Sequence, residues 1–298
     1  MRLCWNDSFG GPLGKMRIED VRDIYNMGYR VAGINGGISE TTDAEIEHAK
    51  RIFEEVGLVP GPFGLGASAI RPDKAEEREH KIRIAGALKI AGKLGCTSLR
   101  YSVGSMHPEN IWMHHPDNIT QKALDELIKS TKELVPIAED SNCILCPETT
   151  QWTIVNGIER MKEFVDRLDS PYARIIFDPV NHMTYDRVYD SGRYMRCAIS
   201  TLGDRIGVIH VKDVKVEDKL LVSHIAETEM GTGVLDHEAL IKTTTQLEPW
   251  KTFSLEHISE RRLIRKAYDH IQSIADRIGH RWSDPKCTRE RWEKGECK

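Results

Sequence analysis

The chain has 298 residues, 40% hydrophobic and 30% charged, which is enough apolar material to bury a full core and too much for a disordered segment. Its 42 Lys and Arg against 46 Asp and Glu leave a formal charge of −4 with no long basic run, which argues against nucleic acid as a partner. No run of 18 apolar residues occurs, and Met1-Arg2-Leu3-Cys4-Trp5-Asn6-Asp7 reaches an acidic residue without an apolar h-region. The expectation is a soluble, cytoplasmic protein with no membrane span.

Short apolar runs rich in β-branched residues alternate with amphipathic stretches along the whole chain. In chain order the pattern predicts strand 2–5, helix 18–27, strand 30–34, helix 43–56, strand 58–62, helix 74–94, strand 98–103 and helix 117–140. It continues with strand 143–147, helix 157–168, strand 174–177, helix 185–202, strand 207–211, helix 237–246, strand 252–256 and helix 260–278. Thr42-Asp43 and Pro116-Asp117 are helix starts, and Gly28, Gly57 and Gly95 stand where helices stop. Eight βα units of about 37 residues suit a (β/α)8 barrel, with a doubly wound open sheet as the alternative. No linker divides residues 1–278. The tail 279–298 is polar and aperiodic but carries Trp282 and Trp292, so it is expected to dock on the barrel or on a neighbouring subunit.

Seven scattered cysteines form no disulfide framework and fit a reducing compartment. Cys143 and Cys146 match C-x-x-C, but inside a strand residues three apart face opposite ways, so the pair is read as two buried apolar side chains. Gly61-Pro62-Phe63-Gly64-Leu65-Gly66 is read as the exit loop of the third strand, not a phosphate loop, because no helix starts directly after it. His107, Trp112, His114 and His115 in the loop after the fourth strand suit either a sugar-pocket wall or a subunit contact.

The strongest chemical signal is at the ends of the last four strands. They finish in Glu148, Asp178, His210 and Glu256, and a carboxylate at the end of a buried strand is costly without a partner. The first two intervals are near one βα unit, so the side chains can meet at one rim. The last interval is longer because a polar connection, residues 214–235, intervenes; it carries Glu227 and Glu229 and is expected to extend over the same rim as a loop. Three carboxylates and an imidazole make an oxygen-rich site for one divalent cation, Mn²⁺ or Mg²⁺ before Zn²⁺, with Co²⁺ an option.

These residues resemble the xylose isomerase-like TIM barrels, a family that includes tagatose and psicose epimerases, hydroxypyruvate isomerase, inosose dehydratase and dehydroshikimate dehydratase. His210-Val211-Lys212-Asp213 is similar to the family's H-x-K-D segment, and Gly231-Thr232-Gly233-Val234-Leu235-Asp236 to its G-x-G-x-x-D turn. The resemblance implies that Glu148, Asp178, His210 and Glu256 hold one metal ion. It also implies that Glu148 and Glu256 flank a polyhydroxy carbonyl substrate, one removing a proton α to the carbonyl to give a metal-stabilised enediolate and the other returning one. Lys212 is a candidate proton donor or oxyanion contact, and Arg100, Asn181, His182, Asp213 and His257 are candidate substrate contacts. The implied function is a sugar or cyclitol isomerase or epimerase, forming homo-oligomers as family members often do.

The chain departs from the epimerase pattern at Asn181, where a His commonly follows the metal Asp by three residues; His182 comes one later. That departure and H-x-K-D support a lyase alternative, a dehydratase or a carbon-glycoside-cleaving enzyme, working from the same first step. Two other readings are a DNA-end-binding barrel like endonuclease IV, opposed by the −4 charge and the smaller donor set, and a non-catalytic partner subunit.

Overall fold

Parallel pairing of all eight expected strands accounts for the architecture. In a computed structural model describing residues 1–36, 41–217, 219, 221–222, 224–258 and 260–297, these strands are β1 (Arg2–Gly10), β2 (Val31–Asn35), β3 (Val59–Ser68) and β4 (Ser98–Ser102). They continue with β5 (Ile144–Glu148), β6 (Ile175–Phe177) and β7 (Ile206–Val211). Two short strands, β8 (Asp213–Val216) and β9 (Ile225–Thr228), precede the eighth barrel strand, β10 (Thr252–Leu255). The sheet order is β1-β10-β7-β6-β5-β4-β3-β2, and pairing of Arg2 with Thr252 and of Cys4 with Val31 closes it on both sides of β1. Closure makes this a TIM barrel and removes the open-sheet alternative.

The helices form the outer ring; of the two start signals named above, Thr42-Asp43 opens its helix, whereas Pro116-Asp117 opens only a short turn. Thr42 accepts the backbone N–H of Glu45 while the Glu45 carboxylate accepts that of Thr42, and Asp73 accepts from Ala75 and Glu76. Gly57 and Gly95 end their helices at φ 80° and 79°, a left-handed conformation in which a side chain is strained. Helix Lys74–Leu94 buries Ile84, Ala87, Leu88 and Ala91 against the sheet, each large side chain contributing roughly 1.5–3 kcal/mol.

Four expectations are corrected. The helix expected over 117–140 breaks into a turn (Pro116–Ile119) and two helices, Gln121–Lys132 and Val135–Asp140. Thr120 caps the first helix, and Pro136, with no N–H to give, sits in the first turn of the second. The helix expected over 185–202 divides into Tyr185–Val188 and Ser191–Leu202, where Gly192 lets the chain approach Asp236 and Ala239. The segment Gly61-Pro62-Phe63-Gly64-Leu65-Gly66 lies inside β3, not after it, and a side chain at Gly64 would collide with Asn35 and Arg100. The connection 214–235 is not a plain loop, because β8 and β9 pair antiparallel through Val214 with Glu227 and Lys215 with Ala226.

The tail lies across the N-terminal end of the barrel. Ser283 exchanges hydrogen bonds with Met1, fully buried Arg2 donates to the Pro285 carbonyl, and Trp282 packs on Phe253 with ring centroids 5.1 Å apart. Cys287 joins Ile144, Cys146, Ile176, Val208 and Trp250 in the apolar base of the barrel and is disulfide-bonded to Cys297, a bridge the cysteine spacing does not signal. Cys143 and Cys146 are free and buried in different clusters, Cys143 in the main core and Cys146 in this base, as opposite strand faces require. Among the described residues no helix is long and apolar enough to cross a membrane.

Candidate metal and active site

Strand alternation builds the site. Inward positions on β5 run Ile144, Cys146, Glu148; from β6 they run Ile176, Asp178; and from β7 Val208, His210, Lys212. Each path passes from the apolar base to a charged top in steps of two. Glu256, the next residue beyond β10, completes the ring. One donor atom from each of Glu148, Asp178, His210 and Glu256 lies within 4.8 Å of all the others, and all four residues are buried.

That spacing fits one cation. Donors held at roughly 2.0–2.5 Å from a common ion stand no more than about 5 Å apart. Three oxygen donors and one imidazole suit a divalent metal of the Mg²⁺, Mn²⁺ or Zn²⁺ type. Asp178 Oδ2, Glu256 Oε1 and both His210 ring nitrogens are buried without a hydrogen-bond partner, although ion pairs surround them, and unsatisfied atoms of this kind point to a ligand.

Positive side chains already thread the cluster. His210 Nδ1 stands 3.0 Å from Glu256 Oε1 and 3.5 Å from Glu148 Oε1. Lys212 Nζ lies 2.8 Å from Asp178 Oδ2, 3.3 Å from Glu256 Oε1, 3.1 Å from Glu227 Oε1 and 2.9 Å from Asn181 Oδ1. Burial and Glu256 push the Glu148 carboxyl up, but His210 and Arg100 outweigh them and hold it down at about 2. Burial likewise opposes ionisation of Glu256, yet His210 and Lys212 keep it well below the usual range. Asp178 is raised because burial there outweighs Lys212. Burial disfavours the His210 imidazolium, but the two glutamates raise its pKa to about 10. Lys212 stays far above its ordinary value despite burial, through Asp178, Glu256, Glu148 and Glu227.

The other expected residues fall into three places. Arg100 reaches the cluster, with Nη1 3.5 Å from Glu148 Oε2 and Nη2 donating to Asn35 Oδ1 at 2.8 Å. Asn181 Nδ2 donates to Glu148 Oε1 at 3.0 Å, so it bridges that carboxylate and Lys212. His257 stands at the rim, half exposed, with φ 59° turning the chain sharply after Glu256; its Nδ1 is 2.9 Å from Glu227 Oε2. Hydrogen bonding to Glu227 raises its pKa against the effect of burial.

His182 and Asp213 have structural surroundings. His182 is wholly buried against the Thr149 hydroxyl, and burial with nearby Arg187 lowers its pKa to about 3. Asp213 accepts the backbone N–H groups of Val214 and Leu235 on Oδ1 and of Gly231 and Gly233 on Oδ2, at 2.8 to 3.2 Å, and so anchors the hairpin and the glycine turn. In the loop after β4, the His107 and His115 rings accept backbone N–H groups of their own turns, while His114 meets Trp152 edge to face.

Three contributors went unnoticed as site residues. Asn6 Nδ2 donates to Glu256 Oε2 at 2.9 Å, Asn35 holds Arg100, and Glu227 spans Lys212 and His257. Asn6 was findable as the third inward position after Arg2 and Cys4; Glu227 reaches the site only because the hairpin forms. A cavity of about 180 Å³ opens beside the cluster, lined among others by Lys212, Glu227, Met230, Glu256, His257 and Leu263.

The family model for xylose isomerase-like TIM barrels matches residues 21–274, and the chain belongs to that family. It is 23% identical over 200 residues to a putative L-ribulose-5-phosphate 3-epimerase, SgbU, of Escherichia coli (strain K12). The match covers 67% of this chain and 63% of that relative, less than two thirds of the relative's length. Among solved structures, a D-psicose 3-epimerase crystallised in the presence of D-fructose superposes with a TM-score of 0.71 at 14% identity, covering 93% of this chain and 99% of the other. A xylose isomerase-like TIM barrel protein from Mycobacterium smegmatis in complex with magnesium gives 0.69 at 14% identity, over 91% and 96%. At these identities the structures share the fold with this chain.

Proposed function

We propose that the chain is a divalent-metal-dependent epimerase or isomerase of a sugar, cyclitol or related polyhydroxy carbonyl compound. The observation that carries the reading is the pair of buried carboxylates, Glu148 and Glu256, both within 3.5 Å of His210 Nδ1 and within one donor cluster. The names of the relatives, a ribulose-phosphate epimerase and a psicose epimerase, support the same class. Glu148, Asp178, His210 and Glu256 would hold the ion, Mn²⁺ first, with Mg²⁺, Co²⁺ and Zn²⁺ as alternatives. When bound, such an ion supplies Lewis-acid polarisation of a carbonyl and its neighbouring hydroxyl.

The chain's own groups do the rest. One of Glu148 and Glu256, ionised, would take the proton from the carbon beside the carbonyl, and the other, entering that step as the carboxylic acid, would return one; both protons then exchange with solvent. Asn181 and Asn6 each donate to one of these carboxylates and fix its orientation. Arg100 lies against Glu148 Oε2 and helps to fix that carboxylate, which keeps it a candidate contact for a substrate oxygen. His257 and Glu227 line the cavity where substrate hydroxyls would sit.

The lyase alternative is favoured by one observation. Lys212 brings an ammonium, hydrogen-bonded to Asn181, into the buried cluster, where it can protonate a departing hydroxyl or aglycone. Proton NMR in D₂O separates the two readings, using Mn²⁺-loaded protein with ketoses, inososes and 3-keto-glycosides beside an Asp178→Ala control. Deuterium entering α to the carbonyl with a new isomer establishes the epimerase, and Glu148→Gln or Glu256→Gln then lowers that exchange by about 10²–10⁴. An unsaturated product or a released aglycone establishes the lyase. Protein that binds no metal and exchanges no proton refutes both.

A further inference from the structure

Beside the His210 ring and the Arg100 guanidinium, the cluster holds an ammonium, that of Lys212. The Lys212 ammonium is 3% exposed and lies on two of the four donor carboxylates, Asp178 and Glu256, through the oxygens that have no hydrogen-bond partner. Carboxylates this close and this buried repel one another unless a positive charge stands among them. A divalent ion held by these residues would draw on the same two carboxylates, Asp178 and Glu256, and would repel the ammonium.

The structure shows where the ammonium can go. Its remaining acceptors are Asn181 Oδ1 at 2.9 Å and Glu227 Oε1 at 3.1 Å. Among the described residues Glu227 is the carboxylate on Lys212 that lies outside the donor set. It stands on β9, in a hairpin that hangs on Asp213, and its second oxygen holds His257 at the cavity mouth.

We infer that Lys212 is a built-in counter-cation that holds the metal-free cluster together, and that Glu227 is the positioning residue that receives it when a divalent ion enters. Ion entry and docking of the hairpin over the cavity are then one coupled event. The inference rests on the metal-site reading above and adds a residue outside the four donors.

The test uses the full chain, stripped of metal and titrated with Mn²⁺ alone, with free Mn²⁺ read by electron paramagnetic resonance. Lys212→Met removes the competitor and is expected to bind Mn²⁺ at least tenfold more tightly than the wild type. Glu227→Gln strands the ammonium on Asp178 and Glu256 and is expected to bind at least tenfold more weakly. Because Glu227 acts through Lys212, the double variant is expected to match Lys212→Met within about threefold. Amide exchange over residues 225–228 is expected to slow on Mn²⁺ addition in the wild type and not in Glu227→Gln.

A Lys212→Met chain that binds Mn²⁺ no more tightly overturns the inference. So does a Glu227→Gln penalty of equal size with and without Lys212, since Glu227 would then act only as a nearby negative charge. Should metal-free Lys212→Met fail to fold, the exchange measurement decides: Mn²⁺-induced slowing that persists in Glu227→Gln also overturns it. Wild-type protein that binds no Mn²⁺ overturns the metal-site reading itself, and the inference with it.

Discussion

Replacing Asp213 by Asn separates a hairpin anchor from a substrate contact. The carboxylate accepts four backbone N–H groups, two on each oxygen, all within 3.2 Å. Asn offers one acceptor oxygen and turns an NH₂ group toward the other two donors, so two N–H groups lose their partner. Each stripped donor costs about 1–3 kcal/mol, less where water can reach it. The Gly231 and Gly233 sites are part-buried, which places the sum at about 2–4 kcal/mol. The loss falls on the hairpin and the glycine turn rather than on the barrel, so amide protection over 225–235 should drop by about thirty- to a thousand-fold while barrel amides hold. Hydrogen exchange with mass spectrometry reads this directly. Unchanged protection in Asp213→Asn, together with a raised KM, would show that Asp213 contacts substrate and would refute the anchor.

Three further outcomes follow from the same geometry. His210 must shed its proton to bind an ion, and its pKa in the metal-free chain is raised to about 10, so below that value each unit fall in pH weakens metal binding about tenfold. Calorimetry at pH 8 and pH 6 should show a loss of about a hundredfold, and a pH-independent affinity would remove His210 from the donor set. His182 is lowered to about 3 from an unfolded value near 6.5, so the unfolded chain takes up its proton first and stability is lost as pH falls through that window. Between pH 7 and pH 5 this amounts to about 2 kcal/mol, and urea titrations of His182→Gln should show that much less acid sensitivity. Chelation should lower the wild type's thermal midpoint, whereas Mn²⁺ at a hundred times its Kd should add about 2.7 kcal/mol. Asp178→Ala should abolish the gain; an undiminished gain would place the ion elsewhere.

Much of the barrel and the buried Glu148, Asp178, His210 and Glu256 cluster was legible in the chain because both rest on local periodicity. Inward and outward residues alternate by two along a strand, several helices start or stop at caps such as Thr42, Asp73, Gly57 and Gly95, and a polar residue at the top of a buried strand stands out wherever it falls. Glu148, Asp178, His210 and Glu256 could therefore be named from strand ends alone, and Lys212 shares the inward face of His210. Closure of the sheet, the antiparallel hairpin and the positions of Asn6, Asn35 and Glu227 were decided by tertiary structure. Each depends on residues far apart in sequence: Asn6 meets Glu256 only because β1 pairs with β10, and Asn35 meets Arg100 only across glycine-lined β3. Asp213 shows the same limit, since its residue type suits substrate binding as well as it suits a turn. Only folding the glycines Gly231 and Gly233 back onto its carboxylate determines which groups that charge serves.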